Sequence, residues 1–201
     1  KLDKLGVREN TIVVFMSDNG HSAEHNEIRF DDHKSGLAKG VYYGAHGGGG
    51  NTGKWRGHKA TFFEGGIRVP AMISFPAKLP QNQVRDQAIT AADILPTVLQ
   101  LCEVPLPETK LDGRSLLPII KSANAPTHHE VMHWQWMNNW AVREGDWKLI
   151  STADKLFLGN LADEKPEETD HADAQPEIVE RLKGLHEQWA QEVQPPSEEG
   201  T

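Results

Sequence analysis

Residues Ile12-Val13-Val14-Phe15-Met16 form an apolar run through which no polar residue alternates. Such a run suits a strand buried on both faces, as in a parallel sheet covered by helices. It asks for strand neighbours, which few later segments can supply. Just before it, Leu2 and Leu5 stand at helical spacing and Gly6 suits a helix C′ position, so the first residues read as the end of a helix feeding that strand. No N-cap or first turn precedes them. The pattern predicts an α/β fold and reads as a piece of a larger α/β domain.

Glycine dominates the next stretch. Eleven of the 18 glycines lie between Gly36 and Gly66, centred on Gly47-Gly48-Gly49-Gly50, which predicts a loop whose backbone turns tightly or approaches something closely. Val69 to Pro76 read as a second short strand closed by proline. Asp93 can cap a helix that keeps Pro96 in its first turn, with Ile94, Leu95, Val98, Leu99, Leu101 and Cys102 as its apolar face. On that face Cys102 reads as a buried structural thiol. Beyond Pro126 the character changes, for Val131 to Ile150 holds Trp134, Trp136, Trp140 and Trp147. Val142 to Leu149 read as a hairpin turning at Gly145. Pro176 then opens an amphipathic helix carrying Ile178, Val179, Leu182, Leu185, Trp189 and Val193 on one side. The expected organisation is part of an α/β domain over 1–126, then a small antiparallel sheet with one closing helix over 127–201.

Charge and cysteine content narrow the function classes. The net charge is −8, with residues 1–150 carrying 17 Lys/Arg against 16 Asp/Glu and 151–201 carrying 4 against 13. Neither half supplies the basic face of a nucleic-acid binder, so no nucleic-acid partner is expected. The acidic end reads as solvated surface. A single cysteine allows no internal disulfide framework and no multi-cysteine zinc site. No stretch approaches the ~18 apolar residues of a membrane span, and Lys1 to Gly6 contain no apolar core of a secretory signal.

Four segments can carry chemistry. Ser17-Asp18-Asn19-Gly20 directly follows the apolar strand, at the carboxyl end where α/β sheets bind ligands. The Asp18 carboxylate and Asn19 amide oxygen are hard donors suited to Ca²⁺ or Mg²⁺, although taken alone a simple Asn-Gly turn after a strand is the favoured reading. His21-Ser22-Ala23-Glu24-His25 fits the H-x-x-E-H pattern of inverted zinc metallopeptidases. That pattern works on a helix, whereas this one follows a strand and a turn, so zinc is not expected. Gly48 to Lys54 mimics a P-loop, but Trp55 stands where the Mg²⁺-binding hydroxyl belongs, and that reading fails. Finally, Gly53 to Arg68 forms a glycine-flanked basic cluster suited to an anionic substrate.

Taken in order, Ser17-Asp18-Asn19-Gly20, Gly57-His58-Lys59 and Glu64-Gly65-Gly66-Ile67-Arg68-Val69-Pro70 resemble the sulfatase family of the alkaline-phosphatase-like superfamily. The resemblance continues through Ala92 to Thr97, Leu111 to Leu116 and Ala141 to Ile150, and thins at Leu156 to Leu161. It implies cleavage of sulfate esters by a formylglycine made from the cysteine of a C-x-P-x-R motif, with a calcium ion beside it. Asp18 and Asn19 match the family's Asp-Asn metal pair, and Lys59 matches the lysine that contacts the sulfate. His21, two residues after Asn19, is kept as a substrate contact.

Cys102 is followed by Glu-Val-Pro-Leu, which is not C-x-P-x-R. The resemblance therefore implies a C-terminal portion of a sulfatase, with the nucleophile and the remaining ligands upstream of Lys1 and the isolated chain inactive. It further implies a sulfated small molecule or carbohydrate as substrate and a periplasmic or extracellular location. A phosphate or phosphonate ester hydrolase of the same superfamily and a non-enzymatic carbohydrate-binding module stand as alternatives.

Overall fold

The computed structural model describes residues 1–22, 52–152 and 155–193. These residues form two compact units, each assembled from two separate stretches of chain. Lys1–Met16 and Pro70–Glu130 make the first, and the described residues of 17–69 and 131–201 make the second.

In the first unit a 3₁₀ turn at Asp3–Leu5 ends on Gly6, whose φ of 70° is the left-handed cap that its position predicts. The apolar run becomes strand β1, Val13–Met16, and β2 is Ala71–Ser74. The two pair antiparallel, with Val13 opposite Ser74 and Phe15 opposite Met72. Burial on both faces is not what this unit shows: Phe15 and Met72 are each 61% exposed. Successive strand side chains point to opposite faces, and among the described residues β1 has only β2 beside it. The core lies past β2, where Phe75, Leu79 and Leu101 pack with Ile12, Ile73, Leu117 and Ile120.

Helices α2, Ile94–Leu101, and α3, Leu117–Lys121, complete this unit. Asp93 caps differently from expectation, as the third residue of a capping box begun by Thr90, whose backbone N–H donates to Asp93 Oδ2 at 2.8 Å. Asp93 is fully buried, and its Oδ1 accepts the Arg114 N–H while His129 Nε2 lies 2.9 Å from both oxygens. Thr97 Oγ1 donates to the Asp93 carbonyl and accepts the Leu116 N–H. A Cβ on Gly113 would strike the Ala92 carbonyl, so only glycine lets these segments touch. The motifs at 92–97 and 111–116 thus form one satisfied buried polar network. Cys102 is exposed, contrary to expectation, because it falls on the residue that ends α2 and leaves the helix's apolar face.

The second unit holds the expected small sheet and closing helix. Strands β3 (Val131–Trp136), β4 (Asn139–Glu144), β5 (Trp147–Thr152) and β6 (Lys155–Asn160) form an antiparallel meander in chain order. The predicted hairpin joins β4 to β5 with Glu144 opposite Trp147 and Gly145 at φ 58°. Cross-strand partners His133, Val142, Leu149 and Leu158 share one face of the sheet. Against it lies helix α4, Pro176–Val193, whose Val179 and Leu182 complete the core. Val193, expected on that apolar side, is 47% exposed. The opposite face carries Arg143, Lys148, Phe157 and Gly159, and Lys148 to Ser151 are buried without interruption. Segment 56–68, which includes the one-turn helix α1, Glu64–Ile67, packs on this second face.

Candidate active site

Ser17 to Ser22 and the basic loop after Thr52 meet in the second unit. The Gly20 N–H donates to the Gly66 carbonyl and the Lys59 N–H to the His21 carbonyl, each at 2.9 Å. Glycine is required at this junction. A Cβ on Gly20 would strike the Gly65 carbonyl, one on Gly65 the Arg56 and Gly57 carbonyls, and one on Gly66 the Thr61 and His58 carbonyls. The glycines that the sequence presents as punctuation are points where backbones touch.

Two backbone hydrogen bonds thus bring all four candidate residues onto adjoining segments. Asp18 is exposed and Asn19 half-buried, and the Asn19 carbonyl accepts the Ser17 hydroxyl at 2.8 Å. His21 is half-buried, and its Nδ1 is buried with no hydrogen-bond partner among the described residues. The His58 ring lies edge-on to it at 6.4 Å. His58 Nδ1 sits 2.7 Å from the Lys59 carbonyl, and since a carbonyl only accepts, that nitrogen carries the proton. Lys59 is exposed, five residues after Lys54, whose ammonium lies over the Trp55 ring at 4.8 Å. Glu24 and His25 of the H-x-x-E-H pattern lie outside the described residues.

Beneath the loop is a buried ion cluster that sequence reading missed. Lys148 Nζ donates to Glu64 Oε1 at 2.8 Å and to Glu167 Oε1 at 3.0 Å, with all three residues almost wholly buried. Glu167 Oε2 accepts the Glu64 backbone N–H at 2.7 Å. Arg68 Nε donates to Glu64 Oε2 at 2.6 Å, and Arg143 stands 3.9 Å from the same oxygen. Burial alone would raise the Glu64 carboxyl, but the Lys148 ammonium and the Arg68 guanidinium outweigh it and hold it below the usual range. At Glu167 burial wins over Lys148 and the donated N–H, and the carboxyl is raised. The available signal was Lys148 itself, a lone cation inside Trp147-Lys148-Leu149-Ile150, an otherwise apolar strand that must bury it against carboxylates.

Residues 1–104 match the sulfatase family model, and residues 53–194 match the model of the C-terminal region of N-sulphoglucosamine sulphohydrolase. The chain is 33% identical over 132 residues to the steryl-sulfatase of Homo sapiens, covering 65% of this chain and 20% of that protein. It is 27% identical over 206 residues to the N-acetylgalactosamine-6-O-sulfatase of Bacteroides thetaiotaomicron, covering 92% of this chain and 37% of that one. A solved structure from glycosaminoglycan metabolism by Bacteroides thetaiotaomicron superposes with a TM-score of 0.69 at 27% identity, over 92% of this chain and 39% of that chain. The chain therefore spans between 20% and 39% of the length of these relatives.

Proposed function

The chain belongs to the sulfatase family, and from that premise we propose that it supplies part of the active site of an enzyme hydrolysing sulfate esters. The observation that carries this reading is the junction of Ser17 to His21 with the Lys59 loop through the Gly20–Gly66 and His21–Lys59 backbone bonds. It sets a carboxylate, an amide, an imidazole and an ammonium on two adjoining segments.

Within this reading Asp18 and Asn19 are calcium ligands. Their oxygens fit the ion's preference, and Asp18 is exposed. Two donors fall short of the about 6–8 oxygens calcium takes, and the described residues hold no cluster of three His, Cys, Asp or Glu able to bind a metal. The other ligands, like the formylglycine, belong to polypeptide outside these 201 residues. Calcium there would neutralise charge on the sulfate oxygens. Lys59 presents a compact ammonium to the sulfate without competing for the metal site, and helps hold the negative charge that builds as the ester bond breaks. His21, on the same segment as Asp18 and Asn19 and edge-on to the His58 ring, is the substrate contact of this reading.

The substrate is a sulfated small molecule or carbohydrate. Both classes stay open, because one relative is named a steryl-sulfatase and another an N-acetylgalactosamine-6-O-sulfatase. Among the described residues no helix is long and apolar enough to cross a membrane. A periplasmic or extracellular location accords with the family.

Substitution in the full-length sulfatase carrying this segment tests the reading. Asp18→Ala abolishes turnover, and Lys59→Ala lowers kcat/KM by ~10²-fold or more, the scale of losing one transition-state charge contact. Lys54→Ala costs far less, since its ammonium rests on Trp55. A damaging Lys54→Ala beside a silent Lys59→Ala overturns the assignment.

A further inference from the structure

Glu167 holds both stems of the loop that presents Lys59. Its carbonyl accepts Arg56 Nη1 at 2.9 Å, and its Oε2 accepts the backbone N–H of Glu64, where helix α1 begins. Its Oε1 is gripped by Lys148 from β5. The stems also close on each other, the Gly65 N–H donating to the Arg56 carbonyl at 2.7 Å. The Arg56 guanidinium lies 4.1 Å from the Phe63 ring and 5.0 Å from that of Phe157 on β6. Lys59 is the third residue into the loop bounded by these ties.

Glu167 adopts φ 61°, left-handed backbone that a non-glycine side chain rarely takes. A residue held there persists only where its surroundings over-determine it, and such residues gather at functional sites. Here the strained backbone is what lets one residue aim its carbonyl at Arg56 while its carboxylate reaches Glu64 and Lys148. A plain structural ion pair needs only the carboxylate.

We propose that Glu167 is a positioning residue for Lys59, clamping both stems of its loop to the four-stranded sheet through Arg56, Glu64 and Lys148. This role rests on the reading of Lys59 as a sulfate contact. It goes beyond that reading by assigning Lys59's placement to a residue 108 positions later in the chain, on the segment that follows β6.

Two measurements test the clamp. In the 201-residue protein, amide hydrogen exchange at Lys59 and Gly65 rises about tenfold or more in Glu167→Ala, while amides in β4 and β5 keep their protection. Glu167→Gln retains an acceptor for the Glu64 N–H and restores most of the protection. It also stands in where the alanine variant fails to fold, being then compared with the unaltered protein, with Lys59 and Gly65 loosened slightly and the sheet unchanged. In the full-length sulfatase, Glu167→Ala lowers kcat by about tenfold or more with KM within about twofold, the signature of a displaced transition-state contact, and Glu167→Gln recovers most of it. Unchanged exchange at Lys59, or loss spread evenly through β4 and β5, overturns the clamp. Loosened exchange at Lys59 together with a silent Lys59→Ala leaves the clamp standing and overturns the sulfate contact instead.

Discussion

Two imidazoles lie where β3 meets α4, each stacked on an indole. His133 is parallel to Trp189 at 4.9 Å, and His186 to Trp140 at 4.3 Å. Both Nδ1 atoms, and Gln135 Oε1 nearby on β3, are buried without hydrogen-bond partners among the described residues. Burial, and after it repulsion from His186, push His133 down to about 4, while burial lowers His186 against an opposing pull from Glu187. Both groups thus bind a proton less readily in the folded state than in the unfolded chain, where histidine titrates near 6.5. Their contribution to stability is whole above that value and is lost as pH falls below it, for His133 across the window from about 6.5 to about 4. The urea midpoint is expected to drop between pH 7.5 and 5, and His133→Phe, which keeps the stack but cannot be protonated, is expected to flatten that drop. An equal slope in the two proteins rejects the assignment. At this scale Asp18, Asn19 and Lys59 are legible as candidates because their motifs are contiguous. Glu167 is not, since its partners are Arg56, Glu64 and Lys148, and no spacing rule joins those positions.

At the scale of elements, periodicity identifies α4 but not where its apolar side stops being useful. Leu182 and Val193 belong to one predicted side, yet Leu182 is fully buried against Val142, Leu149 and Leu158 while Val193 is 47% exposed. Leu182→Ala is expected to cost about 2–5 kcal/mol, through lost transfer energy and a cavity. Val193→Ala should stay within about 0.5 kcal/mol. Denaturant unfolding followed by Trp fluorescence measures both, and equal costs would contradict the packing. Strand β5 shows the complementary case. Its run Lys148 to Ser151 is buried because α4 covers one face and segment 56–68 the other, and an alternating pattern is not required of a strand covered twice.

At the scale of the whole molecule, each unit is assembled from stretches distant in sequence, with 17–69 grouped with 131–201. The candidate site belongs to the second unit, and its loop is moored to the sheet that follows much later in the chain. The chain contains no C-x-P-x-R motif, and the calcium ligands proposed for it are only the neighbouring Asp18 and Asn19. The 201-residue protein is therefore expected to show no turnover of a chromogenic aryl sulfate with calcium present, and weak or absent calcium binding by calorimetry. Turnover that survives repurification would show that these residues suffice for the chemistry and would overturn the division of the site.

Local signals along the chain account for the longer elements and for the motifs. The apolar run, the Gly145 hairpin, the amphipathic face after Pro176 and the ordered sulfatase-like segments all depend on neighbours along the chain, where a few residues of spacing carry the signal. Contacts in space reveal which glycines touch other backbone, that Cys102 faces outward, that β1 pairs antiparallel with β2, and that Glu64, Lys148 and Glu167 share one buried cluster. Distance along the chain separates the two: the partners at Lys148 lie 84 and 19 residues away. A buried charge must find its counter-charge in space, and sequence order does not say which one it finds.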